Sequence, residues 1–479
     1  MNCIPLKVTM LGHACQLIES EHVSILCDPH LGEGFSSGLF SYFPNRRLNS
    51  DKLPMPDIIY ISHRHRDHYD LPSLFRLDKS LPVICADDIE IIYGLGKLGF
   101  TDINPIVDWE EIRIKELTLI FTPSLYRVPE HGLLILSEDA VIWNMVDTLV
   151  DYEMLLTLDS RIGKRPVDLL FWPYQPLVET DASANRPFAV PISRFSKKVE
   201  VIKHLQPKIV VPYSDGQFGI GPGAWLNKYK FPITYENSVA VIKSVSPASF
   251  TVSPDPGKTI EISKTNWDAS QTVSYVAMGP SPSRDKFFDT TQPIPDLFDI
   301  ELPDNLLFTS SFELLEMKIR KAWFDLQANQ LLRPYMNSAQ EWNAIYRVVL
   351  IHNETIFTIN LSPATTSVVK NDLHSQSHAN YLQVRLHAGV LQALFEARIH
   401  FVSALLSGFF RSNEVVYRVS QEGIQIPAIL RDGSKEKPGQ IDVLLCPVKI
   451  LNYILATDSD LAQKVLDHEI QETLCQSNQ

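Results

Sequence analysis

The sequence has few of the features that mark a membrane, secreted or nucleic-acid-binding protein. No stretch of about 18 apolar residues occurs, so we expect no membrane-spanning helix. The first ten residues hold no long apolar run, so we expect no signal peptide. Six scattered cysteines in 479 residues predict a reducing compartment, and cytoplasmic residence is the expectation. With 43 Lys and Arg against 56 Asp and Glu, the net charge of −13 disfavours nucleic acid as a partner.

The segment 63–68 holds the densest cluster of side chains that bind metals. An apolar strand over 57–61 ends just before it, and His63, His65, Asp67 and His68 follow within six residues. Neutral imidazole and carboxylate are the usual ligands of zinc, iron and similar divalent ions. The first three stand at alternate positions, so an extended backbone points them the same way. The segment predicts a site for one or two divalent ions, with a solvated, charged loop as the alternative.

This segment is the H-x-H-x-D-H motif of the metallo-β-lactamase superfamily, which the chain resembles in order and spacing. The segments 11–14 and 25–29 look like the first two strands of that fold, with Asp28 at its first acidic position. The segment 141–148 reads as a strand ending in an acid, and Asp147 matches the aspartate that bridges two metals in the superfamily. The resemblance implies an α/β fold, an αββα sandwich.

Two positions depart from the superfamily pattern, which normally supplies one more histidine before the bridging aspartate and a last one after it. Alignment back from Asp147 puts Tyr126 at the first position, and Tyr213 stands at the last. A tyrosinate could itself be a ligand, and both tyrosines could equally be pocket-wall residues. The gaps could also be filled by nearby ligand-type residues, which are Glu130, His131 and Asp215.

The remaining ligand set favours iron. His63, His65 and Asp147 give two histidines and one carboxylate with open positions, the arrangement of non-haem iron oxygenases. A dizinc hydrolase prefers more nitrogen donors and a trapped hydroxide. We therefore expect one or two iron ions, with zinc or manganese as the alternative.

Within the superfamily, the chain resembles the CMP-N-acetylneuraminate hydroxylase branch through the segments 203–213, 235–237 and 251–257, and more weakly through 398–417. The resemblance implies hydroxylation with iron and electrons from a Rieske cluster, which needs paired Cys and His ligands. No C-x-H or C-x-x-H pair occurs among the six cysteines, so we expect the electrons to come from a separate donor protein or reductant. The cysteines are Cys3, Cys15, Cys27, Cys85, Cys446 and Cys475.

The chain is predicted to have two domains joined by a linker. Short apolar strands alternate with helices from residue 5 to about 262, which predicts the metal-binding catalytic domain over 1–265. The proline-rich segment 266–300 reads as an extended linker or wrapping arm. The segment 301–479 predicts an α+β domain, with a helix over 312–329 and one long, buried or dimer-facing helix over 386–410. This domain is expected to cover the active site, bind part of the substrate as in small lipid-carrier folds, or form a homodimer.

Several further residues are candidates for the surroundings of the metal. His13 and Asp28 follow strands and are expected to orient ligands from the second layer, with Tyr213 beside them. Three more residues are candidates for the wall of a substrate pocket. They are Trp172, Tyr174 and Arg186.

The leading hypothesis is an iron-dependent oxygenase of a small metabolite. The alternatives are a metal-dependent hydrolase of a lactone or phosphoester, in which the metal activates a bound water, and a non-catalytic relative with a binding role. The retained H-x-H-x-D-H cluster and Asp147 oppose the last alternative, and the two missing histidines favour it.

Overall fold

The computed structural model describes residues 5–126, 128–183, 186, 188–214, 216–281, 288–362, 380–430 and 443–476. In the first 281 residues the strands are β1 (Leu6–Gly12), β2 (Cys15–Glu19), β3 (Ser24–Cys27), β4 (Gly34–Phe35), β5 (Phe40–Tyr42), β6 (Arg46–Leu48), β7 (Ile58–Ile61), β8 (Val83–Ala86), β9 (Ile103–Ile106), β10 (Glu111–Ile114), β11 (Leu117–Pro123), β12 (His131–Leu136), β13 (Val141–Asn144), β14 (Leu169–Pro173), β15 (Ile209–Tyr213), β16 (Gln217–Gly219), β17 (Phe250–Thr251), β18 (Thr259–Ile262), β19 (Trp267–Asp268) and β20 (Val276–Met278). The helices are α1 (Leu71–Arg76), α2 (Ile89–Leu98), α3 (Tyr152–Arg161), α4 (Glu179–Ser183), α5 (Ile192–Leu205) and α6 (Tyr235–Val245).

Two large sheets form the first part of the molecule. One has the strand order β19-β18-β1-β2-β3-β7-β8-β9 and the other β10-β11-β12-β13-β14-β15-β17. Each sheet is antiparallel in one half and parallel in the other, with the parallel half running β3-β7-β8-β9 in the first and β13-β14-β15-β17 in the second. The alternation of short strands and helices that was predicted from residue 5 to about 262 is present.

Alternation along the strands explains why both faces of the second sheet are buried. In β14, Leu169 and Phe171 lie in the core between the two sheets, whereas Leu170 and Trp172 pack in a second core against helices α3, α5 and α6. The first sheet has a matching outer core that includes α1 and α2. The layers are therefore helix, sheet, sheet and helix, and the predicted αββα sandwich is confirmed.

The remaining part of the chain adds an α+β unit. Its elements are α7 (Phe312–Ala328), α8 (Arg333–Glu341), β21 (Ala344–His352), β22 (Thr355–Leu361), β23 (Asn380–His387), α9 (Ala388–Phe395), α10 (Phe401–Leu406), β24 (Phe410–Val415), β25 (Arg418–Ser420), β26 (Gly423–Gln425), β27 (Ala428–Leu430), β28 (Val443–Leu445), α11 (Pro447–Leu455) and α12 (Leu461–Gln476). Four of these strands form a sheet in the order β22-β21-β23-β24. Its core also contains Phe35, Leu39, Phe40 and Tyr42 from the first part, so the two parts share one apolar cluster.

The predicted long helix over 386–410 is wrong. Strand β23 runs to His387, two short helices follow, and β24 begins at Phe410. The chain turns between α9 and α10 at Ala397, which has a positive φ of 59°. The apolar residues of this segment are buried, as predicted, but a strand and two short helices bury them against the same sheet. Among the described residues, no helix combines the length and apolar character needed to cross a membrane.

The core between the two sheets should dominate stability. Leu133 is fully buried on β12 in that core, so Leu133→Ala is expected to lower the free energy of unfolding by about 2–5 kcal/mol, because it removes apolar contacts and leaves a cavity. Met55, which is 68% exposed, provides the control, and Met55→Ala should change stability by less than about 0.5 kcal/mol. Denaturant unfolding of both variants measures the difference, and equal losses would contradict the assignment of this core.

Candidate metal centre

The candidate ligands lie at the ends of strands on one edge of the sandwich. His13 follows β1, Asp28 follows β3, His63 follows β7 after Ser62, and Asp147 follows β13. Parallel strands end at the same edge of a sheet, which is where α/β folds place their sites. The edge therefore gathers residues from well-separated parts of the chain.

Two groups of donor atoms converge at this edge. His63, His68 and Asp147 form one group, and His13, Asp67 and His68 form the other, with the donor atoms of each group within 4.8 Å of one another. His68 Nε2 lies 3.4 Å from Asp147 Oδ2 and 3.8 Å from Asp67 Oδ2, so this imidazole stands between the groups. The arrangement offers two neighbouring positions for a divalent ion.

His65 adds a donor to the first group. Its Nδ1 lies 2.8 Å from His63 Nε2, and the two rings meet edge to face with centroids 4.6 Å apart. The structure therefore brings together the five residues predicted as principal ligands, which are His63, His65, Asp67, His68 and Asp147.

The buried nitrogen atoms of the centre are suited to a metal. Nδ1 of His13 has no hydrogen-bond partner among the described residues. Nε2 of His13 lies 3.3 Å from Asp67 Oδ2, and Nε2 of His68 lies 3.4 Å from Asp147 Oδ2. Buried polar atoms normally have a partner, and Nε2 of His68 faces two carboxylates. A divalent cation would satisfy imidazole and carboxylate donors together, so the donor set is suited to such an ion.

The pKa values of His63, His65 and Asp67 favour the forms that bind metals. Burial lowers the pKa of His63 well below its usual value, and the neighbouring His68 and His65 lower it further, which keeps the imidazole neutral. Burial also lowers the pKa of His65. The pKa of Asp67 lies well below its usual range, because His68 and His13 outweigh the burial that opposes ionisation. Neutral imidazoles and ionised carboxylates are the forms that bind metals. The charges of Asp147 and Asp67 outweigh burial and raise the pKa of His68 well above its usual value, so a metal ion would have to displace the proton of this imidazole.

Asp28 fixes the orientation of His68. Its carboxylate accepts hydrogen bonds from His68 Nδ1, from the backbone N–H of Ser62 and from the Ser62 hydroxyl, each at 2.8 Å. With Nδ1 used in this way, Nε2 of His68 is directed at the two groups of donors. This is the contact expected of a residue that orients a ligand from behind.

His13 lies closer to the centre than its predicted supporting role implies. Its Nε2 is 3.3 Å from Asp67 Oδ2, and its ring centroid is 5.2 Å from that of His68. We therefore propose it as a direct ligand, as a fourth imidazole of the centre.

Two ionisable side chains lie buried beside the first group. Glu130 is 5% exposed, with no hydrogen-bond partner for Oε1 among the described residues, and burial together with the charge of Asp147 raises its pKa to about 8. Burial lowers the pKa of Lys198, on α5, to about 8. The sequence analysis named Glu130 as a residue that could replace a missing histidine ligand, but it did not identify Lys198. The available signal was its position on the apolar face of α5, beside the buried Val201 and Ile202.

The structure does not bring the other candidates into the two groups. His131 turns away and its Nε2 lies 3.0 Å from Asp108 Oδ1. Tyr126 is half-buried with Arg194 over its ring at 6.0 Å. Tyr213 is 1% exposed at the end of β15, and Asp215 lies outside the described residues.

The residues predicted for a substrate pocket lie elsewhere. Trp172 and Tyr174 are fully buried in the core between the second sheet and its helices, and their place on a pocket wall stays a prediction. Arg186 pairs with Asp181 at 2.8 Å. A cavity of about 120 Å³ lies between the two parts of the chain, beside Ser36, His400 and Glu469, and none of the candidate ligands lines it.

The buried carboxyl of Glu130 predicts a pH effect in protein freed of metal with a chelator. The native side chain keeps its proton up to about pH 8, whereas an unfolded glutamate loses it near 4.5. The unfolded state therefore binds fewer protons in this window, so the wild type should lose stability relative to Glu130→Gln by roughly 1 kcal/mol per pH unit as the pH rises. Unfolding curves at several pH values measure this, with the exposed Glu138 as control in Glu138→Gln. Parallel curves for wild type and Glu130→Gln would contradict it.

Comparison with known proteins agrees with this architecture. Residues 7–214 match the beta-lactamase superfamily domain. A protein of Mycolicibacterium smegmatis that carries the name Rieske 2Fe-2S iron-sulfur protein is 29% identical over 198 residues, which is 39% of this chain and 38% of that protein. The cytidine monophosphate-N-acetylneuraminic acid hydroxylase of Cricetulus griseus is 22% identical over 289 residues, which is 56% of this chain and 50% of that enzyme. The chain thus spans between a third and a half of the length of these curated relatives.

One solved structure is also similar to this chain. The isothiocyanate hydrolase from Delia radicum gut bacteria is 16% identical, with a TM-score of 0.39, and the match covers 54% of this chain and 99% of that one. The predicted resemblance to the superfamily and to the CMP-N-acetylneuraminate hydroxylase branch is confirmed by the match of residues 7–214 and by the similarity to that hydroxylase.

Proposed function

We propose that this chain is an iron-dependent oxygenase that hydroxylates a small metabolite. The observation that carries the proposal is the donor set around the first metal position. It combines the imidazoles of His63 and His65 with the carboxylate of Asp147, while His68 stands between this position and the second one. The buried carboxyl of Glu130 lies nearby. Two histidines with carboxylates and open positions are typical of non-haem iron oxygenases.

The residues around the centre have separate tasks in this proposal. The bound iron would activate dioxygen. Asp28 holds His68 in one tautomer and one orientation. Burial and the charges of Asp28 and Asp147 raise the pKa of Tyr213 well above its usual value, so its hydroxyl keeps its proton and acts as a hydrogen-bond donor. The side chain of Asp147 is 41% exposed, which leaves this side of the centre open for a substrate.

The electrons are proposed to come from a separate protein or reductant. The cysteines of the described part, which are Cys15, Cys27, Cys85, Cys446 and Cys475, are free thiols, and the sequence has no Cys and His pair for a Rieske cluster. The similarity to a protein named for a Rieske cluster and to a hydroxylase supports a need for such a donor.

A metal-dependent hydrolase is the second candidate, and His13 is the observation that favours it. With His13, the centre offers four imidazoles, and zinc sites that activate water for hydrolysis are rich in nitrogen donors. The similarity to a solved hydrolase is compatible with this candidate.

Metal content tests the proposed site. In protein purified without chelators, elemental analysis should find roughly one or two iron ions per chain, the number that this ligand set can hold. His63→Ala should lose most of this metal because it removes a buried donor, whereas His22→Ala, at a side chain that is 60% exposed, should keep it. Oxygen uptake with a reductant should follow iron content. Zinc without iron, lost in His63→Ala, would move the assignment to the hydrolase.

The orienting role of Asp28 gives a second test. Asp28→Asn replaces a charged acceptor with an amide, so the His68 ring loses its charged partner and its fixed tautomer. Metal affinity should fall by about 10–100-fold, as for other partners that orient a ligand. Competition with a chromogenic chelator measures the affinity. Asp57→Asn is the control, because Asp57 bonds to Ser24 on the exposed surface, and an equal effect of both variants would contradict this role.

A further inference from the structure

Two arginines alternate with the candidate ligands in the metal-binding loop. Arg64 and Arg66 stand between His63, His65 and Asp67, in a loop that bends at 64–65 and turns at 66–68. Arg64 Nη1 lies 3.2 Å from Asp88 and 3.1 Å from Glu90, both near the start of α2. A positive charge this close to a cation site would repel the cation, so each arginine needs a carboxylate as its ion-pair partner.

The partner of Arg66 comes from the other end of the chain. Arg66 Nη2 lies 2.7 Å from Glu469 Oε2, and Arg66 Nε donates to Glu469 Oε1 at 3.1 Å, so one hydrogen bond and one close ion contact join the two side chains. The residues are 403 positions apart in the sequence. The Arg66 side chain is 9% exposed, compared with 36% for Arg64. A buried pair of this kind is screened far less than a surface pair.

The rest of α12 fixes where Glu469 stands. Leu466 and Ile470 of this helix are buried in the outer core of the first sheet, together with residues of α1 and α2. The Tyr93 hydroxyl, on α2, donates to Asp467 at 2.7 Å. The C-terminal helix is therefore seated on the same layer that carries the metal-binding loop.

Arg66 also braces the loop itself. Its Nη1 donates to the backbone carbonyl of Arg64 at 3.1 Å, and its guanidinium lies over the ring of Tyr69 at 5.7 Å. A contact that fixes Arg66 thus fixes the backbone on both sides of His65. If the carboxylate of Glu469 were removed, a buried arginine would lack its partner, and the loop would have to move to bring that charge to water.

We propose that Glu469 is a positioning residue of the metal centre, and that the C-terminal helix sets metal affinity by holding Arg66 behind the loop 63–68. The inference rests on the proposed metal site, but it holds for an oxygenase and for a hydrolase alike. It gives the C-terminal part of the chain a role in the site that the first part carries.

Zinc binding tests this inference, measured on full-length protein stripped with a chelator and titrated with Zn²⁺ against a chromogenic chelator. Glu469→Gln is expected to weaken zinc binding at least tenfold, in the range seen when partners of ligands are removed. The double variant Arg66→Gln with Glu469→Gln removes both charges, so it should recover affinity to within about threefold of the wild type, since no unpaired arginine remains.

Two variants on the same helix are controls. Glu472→Gln changes a carboxylate that contacts Ser37 and His468 at the surface, and Asp467→Asn weakens the bond to Tyr93. Asp467→Asn should lower the melting temperature, and both should bind zinc like the wild type. If Glu469→Gln does not fold, Glu469→Asp keeps the charge but withdraws it from Arg66, and weaker zinc binding is again expected.

The outcomes separate this inference from the proposed site. Wild-type zinc affinity in folded Glu469→Gln would overturn it, as would equal losses in Glu469→Gln and the double variant. If the wild type binds no more zinc than His63→Ala, the metal site fails as well, and the positioning role fails with it.

Discussion

The crowding of imidazoles at one buried edge is the constraint on which the rest of the structure depends. The ring centroid of His68 lies 4.2 Å from that of His63 and 5.2 Å from that of His13, and Nδ1 of His13 has no hydrogen-bond partner among the described residues. Burial without partners costs free energy, so the fold has to hold these groups together by other means. The core between the two sheets provides that support, because every ligand follows a strand whose side chains are locked in it.

The layer behind the ligands is as important as the ligands. Asp28 joins the ends of β3 and β7 to His68 by three hydrogen bonds, and the carboxylates of Asp88, Glu90 and Glu469 hold the loop arginines on its outer side. The carboxylates on the two sides of the loop have different effects, since Asp28 orients the His68 ring and the outer carboxylates pair with the arginines. Charged side chains surround the short loop 63–68, and the C-terminal helix supplies one of them, Glu469.

The segment 386–410, which was wrongly predicted as one helix, shows the limit of predicting secondary structure from apolar periodicity. Apolar residues at helical spacing run through it, but the strand β23 and the helices α9 and α10 share them. A buried strand and a buried short helix both read as apolar runs, because each of their faces meets protein. The helix α7 was predicted to within one residue, since its apolar stripe is long and Ser311 caps its start by accepting from Leu314 N. The long apolar stripe and the N-terminal cap of α7 distinguish it from the segment 386–410.

The sequence by itself determined the strands and the ligand-type residues of the segment 63–68, because strand alternation follows from local backbone geometry. The αββα sandwich and the choice of Asp147 followed from the resemblance to the metallo-β-lactamase superfamily. The sequence also predicted Glu130 as a ligand-type residue in the right segment. Only the tertiary structure decided that His13 approaches Asp67, that His131 turns to Asp108, that Lys198 is buried beside the centre and that Glu469 meets Arg66. These contacts join residues far apart in the chain, and their distances depend on how the layers pack rather than on any spacing that the sequence displays.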